Sequence, residues 1–231
     1  MVDKKKHEEV DPEVKIESVI GRTEYFIQQN GKTLLTVLAV IVVLVGGFFA
    51  YKYLYVAPRQ EKAAAAIFAA QEFFAADSFA TALNGDGQHD GFLQVVDKYG
   101  STASGNLAKH YAGQCYLRMG EYQKAVEWFG KFTNVKGIPA TMVNAENTGL
   151  TGDAYAQLGD MQKAVAQYEK AASMSENALT APYYCRKAGQ VYAKLGNNAK
   201  ALEFFNRVKN EFPTSTEARE IDKYIGQVEQ R

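Results

Sequence analysis

Cysteine is nearly missing from this chain: Cys115 and Cys185 are the only two in 231 residues. That excludes a disulfide-stapled scaffold. Five prolines exclude a proline-rich linker protein. An excess of either charge is missing too. Lysine and arginine number 26, aspartate and glutamate 26, and the formal net charge is zero. Without a basic excess to neutralise phosphates, general nucleic-acid binding is disfavoured. No acidic block marks a disordered tail. The three histidines, His7, His89 and His110, share no metal-ligand spacing. No Ser-His-Asp order, carboxylate pair or glycine-rich phosphate loop stands out. Gly85-Asp86-Gly87 lacks a strand before it and Lys-Ser/Thr after it, so it reads as a turn. These absences lead us to expect no enzyme, no cofactor, no metal and no small-molecule substrate.

What the chain does have is one long apolar run. Thr33 to Tyr51 (TLLTVLAVIVVLVGGFFAY) holds 19 consecutive uncharged residues. As a helix it covers about 28 Å, close to the roughly 30 Å of a bilayer core. Lipid requires the backbone to be bonded internally, which a helix achieves. Lys32 and Lys52 bracket the run, and Phe48, Phe49, Tyr51, Tyr53 and Tyr55 form an aromatic belt at its C-terminal end. The run exceeds a signal-peptide core, 32 residues precede it, and the candidate cleavage sites after Ala50 and Ala57 are poor. It reads as a retained signal-anchor, a transmembrane helix over 33–55. Its near flanks tie at three positive charges each, but the whole 1–32 tail carries six. That bias places the N-terminus in the cytoplasm and the rest across the membrane.

The tail itself has two parts. Residues 1–11 read as disordered. Pro12, behind Asp11, opens a juxtamembrane helix with Ile16, Val19, Ile20, Thr23, Phe26 and Ile27 on one face. Asn30-Gly31 is expected to end it. The apolar face is either an interfacial or docking surface or a plain lead-in to the span.

From Arg59 onward the chain is again neutral, with 19 charges of each sign. One phrase recurs there three times: YLRMGEYQKAVEWF from Tyr116, YAQLGDMQKAVAQY from Tyr155 and YAKLGNNAKALEFF from Tyr192. Gly113, Gly152 and Gly189 precede the three tyrosines at one offset. A glycine there admits the close approach of a second helix. Gly120, Gly159 and Gly196 fall where a turn needs positive φ. Ala125 and Phe129, four apart, set a small and a large side chain on one face. The product is pairs of antiparallel helices that bury their apolar faces only by stacking.

The flanks of the repeats read as helical too. Glu61 to Leu83 is expected to form a long Ala-rich helix continuing from the span past Pro58. Asn84 to Gly87 breaks it, and Gly91 to Tyr99 makes a second short helix. Residues 59–105 thus form a degenerate helical pair. Thr214-Ser215-Thr216-Glu217 has capping-box spacing before a C-terminal capping helix over 214–231. Its apolar face, Ala218, Ile221, Ile225 and Val228, would seal the last repeat. Cys115 and Cys185 stand a repeat apart, too far for a bridge, and read as free thiols. His89-Asp90 reads as a solvated loop.

The repeated phrase resembles the tetratricopeptide repeat family in its order of glycine, tyrosine, alanine and aromatic residue. Three repeats result, 106–139, 145–178 and 182–215, within a repeat domain taken as 106–213. Their glycine turns are 39 and 37 residues apart, longer than the family's period of about 34. Phe132 and Val208 stand where the family has a small residue. The resemblance implies an all-α architecture, one transmembrane helix followed by a tetratricopeptide-like α-solenoid. It also implies a concave protein-binding groove lined by the first helix of each pair. By position that groove takes His110, Gln114 and Arg118, with Leu107 and Leu117, from repeat one. It takes Asp153 and Gln157, with Glu146, from repeat two, where Gly149 leaves the face open. Repeat three adds Tyr183, Arg186, Gln190 and Lys194 as a basic end. His110 and Gln114 replace the Lys and Asn of the family's clamp for acidic chaperone tails, which disfavours that ligand.

The order of anchor and repeats is also similar to the YfgM-like family of bacterial inner-membrane proteins, ancillary to the Sec translocon. The likeness rests on QQNGKTLLTVLAVIVVLVGGFFAYKY, on the EKAAAAIFAAQEFF helix after it and on the repeats. It implies a periplasmic scaffold on the inner membrane. Translocon subunits, periplasmic chaperones or secreted clients would be its partners, and its one span would contact lipid. The alternative is a structural organiser of envelope-assembly, cell-wall or division complexes using the same groove.

Overall fold

A computed structural model describes residues 12–137, 140–174 and 177–230; the side chains of 12–24, 140 and 141 lie outside that description. The tail expected to be disordered and the juxtamembrane positions 16–23 therefore fall outside the described side chains. Two units are present, 1–58 and 59–231. Among the described residues every regular element is helical.

In the first unit, α1 (Pro12–Ala50) runs unbroken for 39 residues. Asn30-Gly31 does not end it. Asn30 Nδ2 donates to the Phe26 carbonyl one turn back, 3.0 Å away, and Thr36 Oγ1 does the same to Lys32. An interior glycine costs a helix only about 1 kcal/mol, and the apolar run beyond it propagates the helix at one bond per residue. The apolar side chains from Leu34 to Tyr55 are exposed. By length and composition this stretch is able to cross a membrane. Tyr51–Val56 is π-helical, and the Ala57 N–H bonds Lys52 O, five residues back. Pro58 explains the widening. It has no N–H for the Leu54 carbonyl, and its ring would collide with that carbonyl in a tight α turn.

α2 (Ala57–Ala75) follows, and it stops short of the expected Leu83. Asp77 takes a left-handed φ of 54°, while Ser78 N bonds Phe73 O. A short polar side chain tolerates that conformation. α3 (Phe79–Asn84) and α4 (Phe92–Tyr99) come next. The Asn84–Gly87 break holds, with Gly85 and Gly87 both at positive φ.

Three helical pairs follow: α5 (Ala103–Arg118) with α6 (Tyr122–Lys131), α7 (Ala140–Gln157) with α8 (Met161–Ser173), and α9 (Thr180–Lys194) with α10 (Asn198–Glu211). Each first helix closes the same way. Gly120, Gly159 and Gly196 have φ of 79°, 82° and 78°. The N–H of each glycine bonds the carbonyl three back, and the next N–H reaches the repeat tyrosine: Glu121 to Tyr116, Asp160 to Tyr155, Asn197 to Tyr192. This is the Schellman closure, which satisfies the last carbonyls of a helix. Asp160 and Asn197 then cap the second helices, accepting from Lys163 N and Lys200 N.

Gly113, Gly152 and Gly189 explain how each pair closes. A Cβ at these positions would lie 2.5, 2.7 and 2.4 Å from the rings of Phe129, Tyr168 and Phe205. The aromatic side chain of the second helix rests on the bare backbone of the first. Two buried clusters result. One joins Ile67, Leu83, Phe92, Val95, Ala112 and Phe129; the other joins Tyr168, Tyr184, Phe205, Val208, Ile221 and Val228. Full burial of one such side chain contributes about 1.5–3 kcal/mol.

The last helix, α11 (Ile221–Glu229), is entered through a 3-10 turn at Glu217–Glu220. The expected Thr214/Glu217 box is not what caps it. Ser215, buried, accepts instead from Ala218 N at 3.2 Å.

Candidate protein-binding groove

The helical pairs leave an open hollow of about 560 Å³ over α5, α7 and α9. Five of the nine expected groove residues line it: Gln114 and Arg118 from α5, Asp153 and Gln157 from α7, and Tyr183 from α9. Gln190 and Lys194 belong to a separate hollow of about 310 Å³, floored by Phe205 and Tyr224 near α11. Arg186 lines neither; its guanidinium lies 5.6 Å from the centre of the Tyr183 ring.

His110 departs from the expectation that it faces the groove, for it is only 2 % exposed. Its Nδ1 donates to Asn147 Oδ1 (3.0 Å), and Asn147 Nδ2 donates to the Phe129 carbonyl (3.1 Å). Gln114 Nε2 donates to His110 Nε2 (2.7 Å). Both ring nitrogens are thus satisfied in the neutral form. Burial pushes the His110 pKa down, with Asn147 and the Glu146 carboxylate opposing it. The side chain ties α5 to α7 from inside.

Gly149 is a second departure. Its missing side chain does not leave the face open: the Tyr184 ring fills the space, so a Cβ there would lie 1.9 Å from that ring.

At the groove's centre is a group that position-by-position transfer from the family did not reveal. Lys187 Nζ donates to both oxygens of Asp153, at 2.6 and 2.8 Å. Tyr168 donates its hydroxyl to the same carboxylate, at 2.6 Å. The Lys187 ammonium also sits 4.9 Å from the Tyr183 ring centre and 5.4 Å from that of Tyr168. Burial, then Asp153, push the Tyr168 phenol pKa up. Lys187 could have been found from helical spacing, since it lies four residues past Tyr183 and three before Gln190 on one face of α9. Leu150 and Tyr122 also line the hollow. Leu150 is seven residues before Gln157 on α7, two turns away on the same face.

Neither cysteine suits nucleophilic chemistry. Cys115 and Cys185 are free and buried, and burial pushes their thiols up to about 12 and about 11. Thiols held that high are poor nucleophiles. Among the described residues no group of three His, Cys, Asp or Glu is placed to hold a metal ion.

This architecture is an all-helical repeat solenoid, and sequence comparison says which kind. Residues 110–137 and 150–177 match one model of the tetratricopeptide repeat, and 187–215 match another. The chain therefore carries tetratricopeptide repeats, which imply a protein–protein interaction scaffold. No curated protein matches the sequence. Among solved structures, the chain is similar to the Podosopora anserina putative kinesin light chain nearly identical TPR-like repeats. Identity is 14%, with 74% of this chain and 87% of that one covered and a TM-score of 0.54. A point variant of the same repeats gives 14%, 74%, 86% and 0.54. These likenesses show the fold alone. The MamA protein aligns at 18% identity over 74% of this chain and 91% of its own, with a TM-score of 0.46.

Proposed function

We infer that this protein is a membrane-anchored scaffold, with α1 as the anchor and the repeats on the periplasmic side of a bacterial inner membrane. In this reading it serves as an ancillary factor of the Sec translocon, assisting secreted or envelope proteins through the groove over α5, α7 and α9. One observation carries it: an exposed apolar helix in the same chain as three tetratricopeptide repeats with an open, lined groove. Anchoring holds the groove near the membrane surface and raises its effective concentration for partners there. Crosslinked purification from membranes tests the role. The reading expects translocon subunits and nascent secreted chains. Recovery of wall-synthesis or division proteins alone would overturn it in favour of an envelope organiser. Orientation has a separate test, in which protease added to spheroplasts is expected to digest the part beyond Arg59. Protection of that part would reverse the topology.

A further inference from the structure

We propose that the groove takes an extended polypeptide segment whose side chains facing the Asp153–Lys187 pair are uncharged, because these two charges already neutralise each other. The proposal rests on the groove being the binding face. It goes further by naming what the groove selects and what enforces the choice.

Two acids, Glu146 and Asp153, and two bases, Arg118 and Lys187, line the hollow. Arg118 and Glu146 are exposed to solvent, where a charge is screened. Asp153 and Lys187 are partly buried, at 23 % and 21 % exposed, and pair with each other from different helices. Lys187 directs two of its three N–H donors at the carboxylate oxygens and has the two tyrosine rings as further neighbours. Asp153 also accepts from Tyr168. An incoming carboxylate would compete with Asp153 for Lys187, and an incoming ammonium would compete with Lys187 for Asp153. Either exchange leaves a partly buried charge unpaired, which is far more costly than an intact pair. Charged ligands are therefore rejected at the centre by a pair that belongs to the protein.

What remains available suits a peptide backbone. Gln157 is exposed on the rim, and its primary amide offers the donor and acceptor set that a peptide unit complements. Leu117, Leu150 and the Tyr183 ring supply apolar surface for uncharged side chains. The hollow's volume falls within the range of about 300–1,000 Å³ usual for pockets that bury a ligand.

The test uses the full chain in detergent micelles and fluorescence anisotropy. The probes are three short labelled peptides: a neutral one of serine, glutamine, leucine and tyrosine, and two sisters with serines replaced by aspartate or by lysine. The wild type is expected to bind the neutral peptide about tenfold or more tighter than either sister. Asp153→Asn keeps the shape and an acceptor for Tyr168 but frees Lys187, so its preference should move to the acidic peptide and weaken with salt. Lys187→Met should move it to the basic one, and serves if Asp153→Asn does not fold. Absence of binding to all three peptides, equal affinity for them, or an unchanged order in the folded variants overturns the proposal. Gln157→Trp, which fills the rim at an exposed position, separates the two layers. If it leaves peptide binding intact, the groove reading itself fails. If it abolishes binding while the three peptides bind the wild type alike, only the selectivity fails.

Discussion

Gly189 and Gly226 are both helical glycines, yet their surroundings predict opposite effects of one methyl group. At Gly189 a Cβ would press to 2.4 Å from the Phe205 ring, whereas at Gly226 nothing lies within 4 Å. Alanine gains up to about 1 kcal/mol of helix propensity at either site. Overpacking costs typically about 1–3 kcal/mol, and more where the neighbour is a rigid ring held on all sides. Chemical denaturation should therefore find Gly189→Ala less stable by about 1–2 kcal/mol and Gly226→Ala equal to the wild type or more stable by up to about 1 kcal/mol. The Gly113, Gly152 and Gly189 contacts were legible in sequence because the same spacing appears three times. The filling of Gly149 by Tyr184 was not, because it depends on an insertion from the next repeat. His110 was hidden for a related reason: its helical position points to the groove in the family, but Asn147 and Phe132 enclose it here. It carries its own prediction. Its pKa in the folded state lies below the unfolded value of about 6.5. As pH falls through about 6.5, the unfolded chain takes up a proton that the folded chain resists, so stability present above that pH is lost on acidification. The melting temperature should drop between about pH 7.5 and 5.5, and His110→Gln should flatten that drop. An equal slope in both proteins would remove His110 as the cause.

At the scale of elements, the turns between paired helices were the most legible feature. A glycine that must adopt positive φ leaves the same mark in every copy, and Gly120, Gly159 and Gly196 all do so. Nothing lies within 4 Å of a Cβ at Gly159, so only backbone conformation is at stake there. The left-handed region costs an ordinary residue about 1–2 kcal/mol and asparagine less. Gly159→Val should lower unfolding free energy by about that amount and Gly159→Asn by a smaller one; equal losses would contradict the conformational argument. Breaks made without glycine escaped the sequence. Asp77 turns the chain at φ 54° between α2 and α3, and Ser215 rather than Thr214 caps the final turn. Conversely, Gly31 looked like a stop and is not one. Local hydrogen bonds make the turns at Asp77 and Ser215, and such bonds leave no periodic trace.

At the scale of the molecule, the missing charge excess takes on a definite form. Neutrality is built in at the groove itself, where Asp153 and Lys187, 34 residues apart in sequence, neutralise each other. Composition showed the balance; only the folded chain shows which charges meet. The long apolar helix and the triplicate phrase were legible because each repeats one physical requirement many times. The groove was half legible, since five of nine positions followed from repeat register and the others depended on what neighbouring helices insert. The central claim is that partners are held on the face made by α5, α7 and α9. Its most direct test places a photocrosslinking residue at Gln157, on the groove rim, and in a second version at Glu203, on the exposed side of α10. Irradiated in intact cells, the Gln157 form is expected to yield discrete polypeptide adducts that the Glu203 form lacks. Adducts at Glu203 with none at Gln157 would contradict the account and move the binding face to the second helices.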